Sequence, residues 1–223
     1  TYSLNSPVDE AKLRLQPDVS QITQIGLLNP LSQERSHLRQ TLLVGLLQTA
    51  RENLRLLSRI QIFEVGSVFL PQEGETLPTE PRRIATLLTG PRQVDAWHPD
   101  QATTGYDFYD IKGRLEILLE GLHLQSEISW RQSDSSPYHP GRCACLHLGG
   151  EMLGYIGELH PKIRSEFSLP EQPFCVAELD LDLLLNQWQQ AHQMHEISGF
   201  TPIYEDLAVV VNQDLPVAQV LNE

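Results

Sequence analysis

Two apolar runs separated by a pair of glycines restrict the fold of this chain more than any other feature. Residues 142–148 and 151–158 flank Gly149-Gly150. A two-residue turn with positive φ at both positions joins neighbouring antiparallel strands, and glycine adopts that backbone without steric cost. A second unit of this kind lies upstream. Residues 59–70 (RIQIFEVGSVFL) are rich in β-branched and aromatic side chains, residues 71–81 collect turn formers, and residues 83–89 (RIATLLT) return as the partner strand. The first of these strands reads as a long central one, with an irregularity at Gly66. Residues 1–4, 22–28, 127–131 and 173–181 read as further strands.

Helices interrupt this pattern. Ser36 suits an N-cap, and Leu38, Leu42, Leu46, Ala50 and Leu54 recur every four residues through roughly five turns. Asp107 opens a second helix, with Asp110 in its first turn and an apolar face of Phe108, Ile111, Leu115, Leu118, Leu119 and Leu122. His160-Pro161 starts a short helix, proline being suited to the first helical position. Residues 182–192 read as helical. Ser198-Gly199 marks a boundary, followed by a strand at residues 206–211 (DLAVVV) and a helix start at Asp214-Leu215-Pro216. Hairpins cluster, with helices between the groups, so the expected class is α+β: an antiparallel sheet with helices on one face.

The 223 residues suffice for a large buried core, and 40% hydrophobic content is globular. A net charge of −13 argues against a surface devoted to nucleic acid. Three cysteines are too few for a disulfide framework, which favours a reducing cytoplasm. No apolar run has the length of a membrane span. The chain begins with Thr1 and ends in what reads as a starting helix, so both ends suggest a piece of a longer protein.

Several segments carry a family likeness. Asn29-Pro30-Leu31-Ser32 with Arg39 and the leucines that follow, Phe63-Glu64-Val65-Gly66, Asp107 to Gly113 (DFYDIKG), His139-Pro140-Gly141-Arg142, Gly157-Glu158-Leu159-His160-Pro161 and residues 200–211 (FTPIYEDLAVVV) occur in this order across nearly the whole chain. Together they resemble the C-terminal part of the β subunit of bacterial-type phenylalanine–tRNA ligases. Glu205 departs from the arginine usual there. The resemblance implies a class II synthetase-like core at residues 1–197, a catalytically inactive copy of the fold. The start of a ferredoxin-like anticodon-binding domain follows at residues 198–223. It also implies an (αβ)2 heterotetramer whose α subunit uses ATP and magnesium to charge tRNA(Phe), with no cofactor held by this segment. The editing domain lies outside the matched region.

An adenylating site needs cations against ATP phosphates. Arg82 and Arg83 lie on a returning strand, yet the later Gly149-Gly150, Gly154 and Gly157 lead into Glu158 rather than an arginine. His139, Cys143, Cys145 and His147 could be read as metal ligands, but packed small side chains are the better reading. Glu178, Asp180 and Asp182 alternate as the solvated face of a strand would. His139-Pro140-Gly141 reads as a tight turn. Leu38, Leu42, Leu43, Leu46 and Leu47 span more than one stripe, which predicts core on one side and a subunit interface on the other. The expected function is a non-catalytic module that packs against the α subunit, with no catalytic, cofactor or metal residues. The rivals are an autonomous class II enzyme or an amino-acid-binding regulatory paralogue, and a direct tRNA binder.

Overall fold

A computed structural model describes residues 2–15, 24–92, 104–124, 126–188, 199–213, Leu215, Val217 and Val220. The chain divides into two compact units, Thr1–Gln190 and Ala191–Glu223, ahead of the boundary read at Ser198-Gly199.

The larger unit is built on a six-stranded, wholly antiparallel sheet in the order β3-β4-β8-β7-β6-β5. Its strands are β3 (Ile60–Ser67), β4 (Arg82–Thr89), β5 (Ile128–Gln132), β6 (Tyr138–Leu148), β7 (Glu151–Leu159) and β8 (Phe174–Asp180). A two-stranded ribbon, β1 (Leu4–Asn5) with β2 (His37–Leu38), forms a separate sheet. The helices are α1 (Pro7–Lys12), α2 (Leu43–Asn53), α3 (Phe108–Gly121), α4 (Pro161–Glu166) and α5 (Leu181–Gln187).

Both expected hairpins form. β3 pairs with β4 from Ile60↔Thr89 to Ser67↔Arg82, and Leu70↔Thr79 continues the ladder into the connecting loop. β6 and β7 meet at Gly149 (φ 59°) and Gly150 (φ 90°), the backbone that the glycine pair was read for. α3 also starts as expected. Asp107 accepts from the Tyr109 and Asp110 amides, and Asp110 accepts from the Asp107 amide, a complete capping box. Ile111, Leu115 and Leu119 are its buried face, while Leu118 is 36% exposed. At α4 the His160 Nδ1 accepts from the Lys162 amide, with Pro161 at the first helical position.

Other expectations are corrected. β3 is an edge strand, not a central one, and its register runs through Gly66 without irregularity. The first short strand is Leu4–Asn5, and the described part of residues 22–28 makes only the bridge Gly26↔His37, with Ile22 and Thr23 outside the described residues. Ser36 ends a 3₁₀ turn instead of capping a helix, and Leu38 lies in β2, because backbone pairing with β1 takes His37–Leu38 away from the helix. His139-Pro140-Gly141 is a register shift inside β6, not a turn, with Gly141 at φ 78°. Residues 206–211 form no strand, and Asp214 and Pro216 lie outside the described residues. α5 ends at Gln187, and residues 189–192 of the expected helix are outside as well.

Helices cover both faces of the sheet, not one. On one face Leu42, Leu43, Leu46 and Leu47 pack with Ile60, Leu87, Phe174 and Val176, closed by Ile163 and Phe167 of the α4 segment. On the other, Ile111, Leu115 and Leu119 pack with Leu146, Leu153, Ile156 and Leu179. β8 supplies both layers through simple alternation: Phe174 and Val176 to the first, Cys175, Ala177 and Leu179 to the second.

The candidate functional site

The expected motif residues lie in separate places. Arg39, Glu64 and Gly66 form a buried unit. The Arg39 guanidinium donates to Glu64 Oε1 (2.7 Å) and to the Ser67 carbonyl (2.9 Å), with side chains only 6% and 12% exposed. A Cβ at Gly66 would lie 2.3 Å from Arg39 Nη2, so glycine is what lets the arginine cross the strand. Backbone bonds from Arg39 N to Ser3 O and from Phe69 N to Arg39 O tie the amino-terminal ribbon to β3. Phe63 points to the opposite face and is 72% exposed. Asn29 and Pro30 sit in an exposed loop between Leu28 (97% exposed) and Leu31 (104%). His139 and His160 stack, with ring centroids 6.1 Å apart.

The leucine stripe is core. Leu42, Leu43, Leu46 and Leu47 are at most 3% exposed within this chain, which leaves none of them for a subunit interface; Leu38 is half-buried in β2.

A cleft of about 940 Å3 opens on the α2 face, lined by Glu10, Gln40, Arg83, Glu178 and Asp180 among others. Two of its carboxylates were missed or misread in the sequence. Glu178 is no solvated strand residue. Its carboxylate accepts from the Leu42 amide (2.6 Å) and the Thr41 hydroxyl (2.9 Å), while Thr41 Oγ1 accepts from the Leu43 amide (3.1 Å). A strand residue 136 positions away thus caps the start of α2. Glu10 accepts from the Gln40 amide (2.7 Å), Asn5 (3.2 Å) and Gln24 (2.8 Å). Thr41, just ahead of the first helical turn, was the one local sign of a cap there. Its partner, and all of Glu10's, are set by tertiary structure.

Burial pushes the Glu178 carboxyl above its ordinary value near 4.5, against the Leu42 and Thr41 hydrogen bonds and nearby Arg83. Burial raises Glu10 too. A carboxyl raised in the fold keeps its proton longer than in the unfolded chain. Its stabilising contribution is therefore complete below about 4.5 and declines as pH rises through the folded value. Glu178→Gln keeps an acceptor for Leu42 N without the charge. Its stability at pH 7 is expected within about 1 kcal/mol of the parent, with a shallower fall from pH 4.5 to 7 in urea titrations. Glu178→Leu leaves Leu42 N and Thr41 without their acceptor and is expected to cost about 1–3 kcal/mol. A Gln profile parallel to the parent's would assign the pH dependence to Glu10.

Three sheet arginines are engaged by carboxylates of the same chain. Arg83 pairs with Asp180 (3.2 Å), Arg82 with Asp182 (2.6 Å), and Arg142 with Glu158 (2.8 Å). Hydrogen bonds from the Arg82 amide and guanidinium hold the Asp182 carboxyl below its usual range. On the α3 face, β3, β4 and β8 present Phe63, Ile84, Thr86, Ala177 and Leu179 to a groove of about 400 Å3, where Arg114 is the only cation among the described lining residues. Arg82, Arg83 and Arg142 thus meet this chain's own carboxylates, whereas a triphosphate requires converging free cations.

The cysteines are packed. Cys143 lies in the α2-side core with its thiol pushed up to about 11 by burial; Cys175, in the α3-side core, is pushed up to about 12. Cys145 is half-buried. Among the described residues no three His, Cys, Asp or Glu side chains stand in a geometry that could hold a metal ion. No described helix is long and apolar enough to cross a membrane.

An antiparallel sheet with helices on both faces is an α+β architecture, and a solved synthetase shares it. A solved pyrrolysyl tRNA synthetase from Desulfitobacterium hafniense superposes with a TM-score of 0.58 at 17% identity, over 83% of this chain and 60% of that one. The particular family follows from the sequence: the family model of the phenylalanyl tRNA synthetase beta chain CLM domain matches residues 1–181, and the chain belongs to that family. The phenylalanine–tRNA ligase beta subunits of Listeria monocytogenes and Geobacter sulfurreducens are 33% and 34% identical over 100% and 99% of this chain. That of Moorella thermoacetica is 36% identical over 99%. The chain spans 27% of the length of each of these relatives.

Proposed function

We propose that the chain is a non-catalytic, synthetase-like module of a phenylalanine–tRNA ligase β subunit. It packs against and supports the α subunit, which charges tRNA(Phe) with phenylalanine using ATP and magnesium in a cytoplasmic (αβ)2 complex. Residues 1–197 are the inactive synthetase-like core, and residues 198–223 begin the ferredoxin-like anticodon-binding domain. The apolar side chains Leu207 (87% exposed) and Val210 (103%) support the second assignment, because a completed domain would bury them.

The observation that carries the non-catalytic reading is the engagement of Arg82, Arg83 and Arg142 in ion pairs with this chain's own carboxylates. A binding role is supported by the loop holding Leu28 and Leu31, where two leucines stand fully in solvent beside the Tyr2–Arg35 stack (3.5 Å). This loop, not α2, is the proposed α-subunit contact.

The chain alone is expected to show no phenylalanine-dependent ATP–pyrophosphate exchange and to co-purify with a co-expressed α subunit. Leu28→Glu with Leu31→Glu is expected to weaken that association at least about 30-fold, as loss of interface anchors does. Robust exchange by the chain alone would establish an autonomous enzyme instead.

A further inference from the structure

The groove on the α3 face has the makings of a small-molecule site. Its floor is the part of the sheet that α3 leaves open: Ile84 of β4, Leu179 of β8 and the exposed ring of Phe63 on β3. Its wall is α3, through Leu115 and Leu118. Small-ligand pockets are concave, mostly apolar, and carry few polar groups that set orientation. Here the charged group is Arg114. It lies one helical position before Leu115, is exposed, and rests 5.6 Å over the Tyr106 ring. No carboxylate among the described residues pairs with it, unlike Arg82, Arg83, Arg92 and Arg142. Tyr106 is itself held by a hydrogen bond from Gln61 to its hydroxyl, so the surface under Arg114 is braced. Among the described residues no acidic side chain lines the groove.

We infer that this groove binds a small monocarboxylate with an aromatic or branched apolar body. The body displaces water from Phe63, Ile84, Leu118 and Leu179, and the carboxylate accepts from the Arg114 guanidinium, a planar donor matched to that group. The charge pattern also sets what is refused. An ammonium group finds no anion in the groove, and in a free α-amino acid it would sit beside the carboxylate, near Arg114. The site therefore selects a plain acid over an amino acid, a selectivity distinct from that of the ligase reaction and independent of the subunit reading above.

The test uses the whole chain and 3-phenylpropionate as probe, followed by calorimetry and by chemical-shift perturbation. Matched arms are 3-phenylpropan-1-ol, 3-phenylpropylamine and phenylalanine. The expected order is the acid tightest, the alcohol at least about 10-fold weaker, and the amine and amino acid weaker still, since a hydrogen bond to a charged group is worth about a factor of 10 or more. Arg114→Gln is expected to bring the acid to the level of the alcohol. Arg114→Glu, a surface change that the fold tolerates, reverses the order of acid and amine. A third variant, Leu118→Glu, tests the wall: it abolishes acid binding while the melting temperature stays near the parent's. Equal binding of acid and alcohol, an unchanged affinity in Arg114→Gln, or no saturation by about 10 mM acid each overturns the assignment.

Discussion

Replacing Arg39 with methionine is expected to destabilise the larger unit by about 3–5 kcal/mol, the usual result of removing one partner of a buried ion pair. In a domain of this size that lowers the melting temperature by about 6–20 °C. The loss comes from what remains: a Glu64 carboxylate 12% exposed, deprived of the guanidinium at 2.7 Å, and a Ser67 carbonyl without its side-chain donor. Three further variants separate charge burial from lost packing. Adding Glu64→Leu to Arg39→Met recovers most of the stability, because an apolar pair of similar volume replaces a desolvated one. Gly66→Ala costs less beside Arg39→Met than alone, since the new methyl group meets Arg39 Nη2 at 2.3 Å only while the arginine is present. Urea unfolding of the four variants measures all of this. A loss below about 1 kcal/mol for Arg39→Met would show that the pair behaves as a surface salt bridge.

Phe174→Ala is expected to cost about 3–5 kcal/mol. Phe174 is 1% exposed, opens β8, and packs in the core shared by α2 and the α4 segment, so truncation leaves a cavity that the surrounding helices cannot fill. Against a typical total of about 5–15 kcal/mol, one such cavity populates the unfolded state measurably. Phe63→Ala is the control. The same chemical change at a side chain 72% exposed is expected to move stability by no more than about 0.5 kcal/mol. If Phe63→Ala proved as damaging as Phe174→Ala, the orientation of β3 would be wrong.

How these two phenylalanines differ shows where reading the sequence stops. Both stand in strands that were recognisable from β-branched and aromatic content. Burial depends on strand order, and order depends on contacts between segments far apart in the chain. β3 lies at an edge with one face open, while β8, equally recognisable from its composition, is enclosed on both. The leucines of α2 make the same point. Their density was compatible with a core, an interface or both, and only the packing of α4 and β8 against them settled it as core.

What residues 107–110, 149–150 and 160–161 do was legible because each device closes over a few residues: a capping box, a two-glycine turn, a proline at the first helical position. The family likeness was legible as well, since it rests on the order of short motifs. The start of α2 was not. β1 claims His37–Leu38 for a ribbon, and Glu178 reaches across the sheet to cap Leu42, so the helix begins at Leu43 for reasons absent from its own neighbourhood. Nor was the ion pairing of Arg82 and Arg83, which puts carboxylates where a phosphate would need free cations. Local hydrogen bonding and steric preference act within a turn or two of chain, and the sequence alone determined what they control. Burial, strand order and the pairing of distant charges follow from how the whole chain packs, and the tertiary structure alone decided those.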